Sequence, residues 1–234
     1  MADKRDVPQQ IKGRIRQKVT RRRFLDYSLA ATAGLAVSLS TGGNARLGGV
    51  FAGNANAVEI GDDGLHKQSW FIESFLDLRD DLKDAQELGK HLAIIWEQRG
   101  CPYCGEMHRV NLAKPEVNSF IEKNFHVLQL DFRGSRIVTD FDGKELSEQA
   151  LAARWRVTGT PSVIFFPDSP AKHAKKSGHD VEIWRLLGYW KPYHFISNFE
   201  YVQGGHYKTK KFHKFLDEKT ARLKASGQKP DIWN

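Results

Sequence analysis

Cysteine is scarce in this chain, two among 234 residues, and methionine equally so. Two cysteines cannot build the disulfide lattice that holds a small secreted domain together. No second CxxC exists to complete a four-thiolate zinc site. Long apolar runs are missing as well. The stretch Tyr27 to Leu39 is uncharged but short and rich in Ala, Ser, Thr and Gly, below the roughly 20 residues that span a bilayer. With 40% hydrophobic and 27% charged residues, a multi-span membrane protein and a fully disordered chain are both excluded. The shortage of acidic residues is local. Residues 1–57 hold ten Lys/Arg against three Asp (+7), and residues 58–234 hold twenty-six against twenty-five acids (+1), which together make the formal +8. A nucleic-acid footprint would place the positive charge on the folded domain, so no nucleic-acid partner is expected.

Residues 1–57 read as an export signal. A Lys/Arg-rich start, the apolar run and a small-residue stretch ending at Ala55-Asn56-Ala57 are its three regions. Thr20-Arg21-Arg22-Arg23-Phe24-Leu25 resembles a twin-arginine (Tat) signal, with Asp26 where a basic residue is usual. The expected mature protein begins near Val58, a single domain that leaves the cytoplasm through the Tat export machinery and works in the periplasm. That compartment permits disulfide chemistry.

The two cysteines stand three apart in Gly100-Cys101-Pro102-Tyr103-Cys104. A structural bridge normally closes a longer loop, because stabilisation grows with loop length. A metal would need two further ligands, although Met107 and His108 keep a copper(I) site open as an alternative. Reversible dithiol chemistry is the reading we take. His91 to Trp96 is an apolar run of strand length, and Pro102 suits the first turn of a helix, which puts Cys101 at the N-cap. There the unpaired N–H groups and the positive helix end favour a thiolate. Cys101 is then the attacking sulfur and Cys104, one turn in, the buried resolving one. Far along the chain, Thr160-Pro161 opens the apolar run Val163–Phe166. Placed so far after a CxxC, this pair resembles the cis-proline loop of thioredoxin-like proteins, which implies a cis bond that would turn Thr160 toward the cysteines.

Elsewhere the periodicity predicts an amphipathic helix over Ser69–Leu88 with Phe71, Phe75, Leu78 and Leu82 on one face. Further helices are expected over Pro102–Val110, from Pro115, over Leu146–Trp155, Pro192–Val202 and Tyr207–Ala225. Strands are expected at Val127–Phe132, after Pro161 and at Val181–Leu187. Phe141-Asp142-Gly143-Lys144 suggests a hairpin turn. This order implies an α/β fold with a mixed sheet. Trp96, Trp155 and Trp184 are expected in the core, and His108 on the helix surface.

On these residues the chain resembles the thioredoxin fold, and more narrowly the periplasmic SoxW-type thioredoxins of sulfur-oxidising bacteria. The likeness is carried by Glu97 to Cys104 with Met107-His108, by Asp140-Phe141-Asp142-Gly143, by Thr160-Pro161 and by Gly188-Tyr189 with Pro192. It implies a mixed central sheet flanked by helices, with additional N-terminal and C-terminal helices, over residues 58–234. It also implies a thiol:disulfide oxidoreductase that needs no cofactor beyond its Cys101–Cys104 pair. A membrane thiol transporter would be the electron donor and client protein disulfides the substrates, among them the SoxYZ sulfur carrier. Cys101 would be the nucleophile, Cys104 the resolving thiol and Pro161 the cis-proline, with Pro102, Tyr103 and Thr160 meeting the client. Typical thioredoxins keep a buried aspartate six residues before the first cysteine; that position is Ile95. Glu97, of the same strand parity, is the candidate replacement, against the plainer reading of a solvated glutamate at a strand end. A Dsb-like oxidase or isomerase, and a copper(I)- or peptide-binding module without turnover, are the alternatives.

Overall fold

The computed structural model describes residues 59–168 and 175–229. The export-signal reading of residues 1–57 lies outside them.

Four strands make the central sheet: β1 (His91–Glu97), β2 (Phe125–Asp131), β5 (Ser162–Phe165) and β6 (Trp184–Leu187), in the order β2-β1-β5-β6. β1 and β2 are parallel, whereas β5 runs antiparallel to β1 and β6 antiparallel to β5. The connection from β1 to β2 carries α2 (Pro102–Glu106), a π-helical segment (Met107–Leu112) and α3 (Pro115–Asn124). A small antiparallel pair, β3 (Ile137–Thr139) and β4 (Glu145–Ser147), followed by α4 (Glu148–Arg154), leads to β5. The expected turn at Phe141–Lys144 lies between β3 and β4. Short α5 (Gly178–Val181) precedes β6, and α6 (Pro192–Gln203) and α7 (Phe212–Ala225) end the described chain. The mixed sheet with flanking helices is the expected one.

β1 is buried on both faces, as a strand near the centre of a covered sheet must be. Leu92, Ile94 and Trp96 pack with Leu78, Leu82, Trp155 and Phe166 on one side, and Ala93 and Ile95 with Val117, Ile121, Phe195 and Phe199 on the other. By the two-residue period of a strand, Glu97 falls on the second side, next to the segment that follows the cysteines. Trp96 and Trp155 are fully buried and meet edge to face at 5.9 Å. Trp184 is only half-buried, against Tyr201 and Phe212.

The helix expected over Ser69–Leu88 is confined to α1 (Leu78–Glu87). Two local bonds set its start: Leu76 N–H donates to Ser74 Oγ at 2.7 Å, and Asp77 Oδ1 accepts from Arg79 N at 3.1 Å as the N-cap. Such side-chain bonds compete with helical ones and mark boundaries. Leu76 adopts φ 63°, which a continuous right-handed helix forbids. Phe75 is consequently fully exposed rather than in the core, and Phe71 packs on the opposite layer from Leu78. The helix after Pro102 also differs from expectation, widening into a π turn that carries it to Leu112.

Candidate active site

The loop after β1 delivers Cys101 to the N-cap of α2, with Pro102 in the first turn. Gly100 supplies φ 70° there, a conformation that costs glycine little. Cys101 and Cys104 are disulfide-bonded, with Cα atoms 5.2 Å apart. Cys101 Sγ accepts from Cys104 N–H at 3.1 Å and from the Thr160 hydroxyl at 3.3 Å. Both donors, and the helix end, would stabilise negative charge on that sulfur after reduction. Both cysteines are buried, Cys104 completely and Cys101 to 4% exposure.

The Thr160-Pro161 peptide bond is cis. It is held from the far side by Gly188 N–H, which donates to Pro161 O at 2.9 Å. Thr160 is partly exposed and Pro161 buried. Around the cysteines the surface is aromatic. Tyr103 is 63% exposed and stacks on Tyr189 with centroids 6.3 Å apart, and Trp190 and Leu187 are exposed beside them in sequence. Asn111 Nδ2 donates to Trp190 O at 2.8 Å, tying the π segment to the β6–α6 loop. Tyr189 entered the sequence reading only as part of the family likeness, and Trp190 and Asn111 carried no signal there, because their place beside the site is tertiary.

Glu97 is not the solvated residue of the plainer reading: its side chain is fully buried. Oε1 accepts from His108 Nε2 at 2.7 Å, and Oε2 lies 3.8 Å from His66 Nδ1. Burial works to raise the pKa of the Glu97 carboxyl, but the hydrogen bond from His108 and the nearness of His66 and Gln129 outweigh it and leave the group below its ordinary value. His108, expected on the helix surface, is 1% exposed. Its burial is tolerable because both ring nitrogens are satisfied, Nε2 by Glu97 and Nδ1 by Gln68 Nε2 at 3.1 Å. His66 stacks on His108 at 5.4 Å. Neither His66 nor Gln68 was legible as part of the site, since residues 59–68 show no periodicity in the sequence and form an irregular segment. Among the described residues no group of three His, Cys, Asp or Glu is placed to hold a metal ion. A cavity of about 520 Å³ lined by Lys67, Gln68, Phe71, Gln129 and Arg136 includes neither cysteine in its wall.

A helix-capping cysteine bonded to a buried partner three residues on, with a cis-proline loop against it, defines a thiol:disulfide oxidoreductase. The chain belongs to the thioredoxin-like domain family, whose sequence model matches residues 78–203, more than half of its length. Among solved structures it is similar to a thioredoxin-fold protein from Helicobacter pylori, at 21% identity over 59% of this chain and 85% of that one, with a TM-score of 0.43. A thioredoxin from Thermus thermophilus matches at 24% identity over 54% and 83%, TM-score 0.40. The C-terminal domain of DsbD from Neisseria meningitidis, in its oxidised form, matches at 22% identity over 53% and 87%, TM-score 0.36. No curated protein matches the chain.

Proposed function

We propose that this protein is a periplasmic reductase of client protein disulfides, delivered by the twin-arginine signal in residues 1–57 and recharged by a membrane thiol transporter. The observation that carries the reading is the pair of donors on Cys101 Sγ, Cys104 N–H and the Thr160 hydroxyl. They favour a thiolate that both attacks and leaves readily. In the forward cycle the Cys101 thiolate attacks one sulfur of a client disulfide and expels the other as a thiolate. Cys104 then attacks Cys101, releasing the second client thiol and leaving the Cys101–Cys104 disulfide. Two electrons pass to the client, and the transporter restores them. Pro102, Tyr103, Thr160 and Pro161 form the client-facing surface, and Glu97 serves Cys104 as a proton acceptor. The resemblance to SoxW-type thioredoxins favours a sulfur carrier of the SoxYZ kind as the client.

The test is trapping. Cys104→Ser, expressed with its signal in the native host, should hold the client on Cys101 as a mixed disulfide that mass spectrometry identifies. Recovery of the sulfur carrier supports the narrower assignment, and recovery of only general envelope proteins removes it. Insulin-disulfide reduction driven by dithiothreitol should vanish in Cys101→Ser; an unchanged rate would sink the enzymatic reading. Replacing Arg21 and Arg22 by Lys should leave the precursor in the cytoplasmic fraction.

A further inference from the structure

Hydrogen bonds have direction, and behind the dithiol that direction is imposed by a main-chain carbonyl. Leu112 O can only accept, so Asn118, which reaches it at 3.0 Å, must present Nδ2 there. The same Nδ2 donates to Gln68 Oε1 at 3.0 Å, which leaves Gln68 Nε2 as the donor to His108 Nδ1 at 3.1 Å. His108 is therefore a neutral imidazole with its proton on Nε2, donated to Glu97 Oε1 at 2.7 Å. Both ring nitrogens are committed, and so is Oε1. The remaining carboxylate oxygen, Glu97 Oε2, is buried without a partner, and so is the atom facing it at 3.8 Å, His66 Nδ1. A second bonded series holds His66 in place: Lys67 Nζ donates to Gln129 Oε1 at 2.8 Å, and Gln129 Nε2 donates to His66 O at 2.6 Å.

This cluster borders the resolving cysteine. His108 follows Cys104 by four residues on one continuous helical run and shares its burial, which places the two on the same inward side. A Cβ on Gly105, the residue after Cys104, would come within 3.0 Å of His66 Nε2. His66 is also the member with a way out, its side chain being 16% exposed while those of Glu97 and His108 are sealed.

We propose that His66 is a positioning and proton-exchanging residue of the resolving step, which links Glu97 Oε2 to solvent. The inference rests on the oxidoreductase reading above. As Cys104 attacks, its S–H bond breaks, the Cys101–Cys104 bond forms and the bond from Cys101 to the client breaks. The electron pair leaves with the client sulfur as a thiolate, and the proton comes to Glu97 Oε2. His66 Nδ1 then takes it, restoring the carboxylate, and the partly exposed imidazole gives up the proton on its other ring nitrogen to water. The charged groups on the neighbouring segments have partners of their own: Lys67 bonds to Asp63, Arg136 to Glu148 and Arg109 to Glu106, while Asp131 is the register partner of Glu97 and Arg99 donates to Asp63 O.

The reduced full-length chain, mixed with an aromatic disulfide of nitrothiobenzoate, releases one coloured thiolate when Cys101 attacks and another when Cys104 resolves the adduct. Glu97→Gln should leave the first release unchanged and slow the second about tenfold or more near neutral pH. The deficit should close as pH passes the ordinary thiol pKa of about 8.5. His66→Ala should also slow only the second release, and added imidazole should restore it. Because His66 is partly exposed, that variant carries the test if Glu97→Gln fails to fold. Wild-type second-release rates in His66→Ala, or a deficit that imidazole does not relieve, would overturn the role of His66. Absence of a Cys101-dependent first release in the wild type would instead remove the oxidoreductase reading.

Discussion

The hydroxyl of Thr160 donates to Cys101 Sγ at 3.3 Å, joining two residues 59 positions apart in the chain. The contact exists because β5 pairs antiparallel with β1, which brings the start of β5 to the end of β1, where α2 begins. A hydrogen bond to a charged acceptor contributes about 1.5–3 kcal/mol. Thr160→Val keeps the shape and removes the donor, so the Cys101 thiol pKa should rise by about one unit. Alkylation of the reduced protein by iodoacetamide, followed against pH, should show a correspondingly higher midpoint with the same plateau.

Asp81 provides a prediction of opposite sign. It is buried on α1, and burial, with Asp77, Asp80 and Asp84 nearby, pushes its pKa from 3.8 up to about 6, against one favourable bond from Ser74 Oγ at 2.8 Å. The folded state thus holds this proton more tightly than the unfolded chain, so stability falls as pH rises from about 4 to 6 and is level above that. Asp81→Asn should match the wild type in urea unfolding near pH 4. It should exceed it by roughly 2 kcal/mol near pH 7.

Asp140 anchors the start of α5. Its carboxylate is fully buried and accepts from Phe141 N, Arg154 Nη1, Trp155 Nε1, Ser177 Oγ and Gly178 N at 2.7–3.2 Å. Removing one member of a buried charged network leaves its partners unsatisfied, at a cost of about 3–5 kcal/mol. Asp140→Ala should lose stability on that scale in urea unfolding, while the disulfide-exchange rate of the protein that remains folded stays near wild type.

The first turn of α5 is intolerant of added volume. A Cβ at Gly178 would sit 2.1 Å from Trp155 Cζ2, inside a fully buried ring. Overpacking of this kind costs typically 1–3 kcal/mol. Gly178→Ala should lower the midpoint of thermal unfolding and reduce the near-ultraviolet circular dichroism that Trp155 contributes.

The parts of the site that the sequence disclosed are those fixed by local chemistry. Pro102 in the first helical turn placed Cys101 at a cap, and the apolar run of β1 placed the dithiol at a strand end. The parity of Ile95 and Glu97 put the glutamate on the correct side of the sheet, yet parity says nothing about burial. That depends on His108 and His66, which neutralise the cost of enclosing a carboxylate and come from segments 11 residues after and 31 before it in sequence. Helical periodicity failed for Ser69–Leu88, because Phe71 and Phe75 fit a 3.6-residue repeat by coincidence. The backbone reversal at Leu76 and the Asp77 cap decide the boundary there. Patterns of polarity do not encode such turns unless glycine or proline marks them.

The closeness of the two sulfurs bears on chemical damage. In the reduced protein the thiolate favoured at Cys101 is the sulfur a peroxide would oxidise first. Oxidation of Cys101 to a sulfenic acid places an electrophilic sulfur beside a protected thiol three residues away. Condensation with Cys104 expels water and returns the ordinary disulfide, before further oxygen can make the injury permanent. The nearness of the second cysteine thus makes the first recoverable.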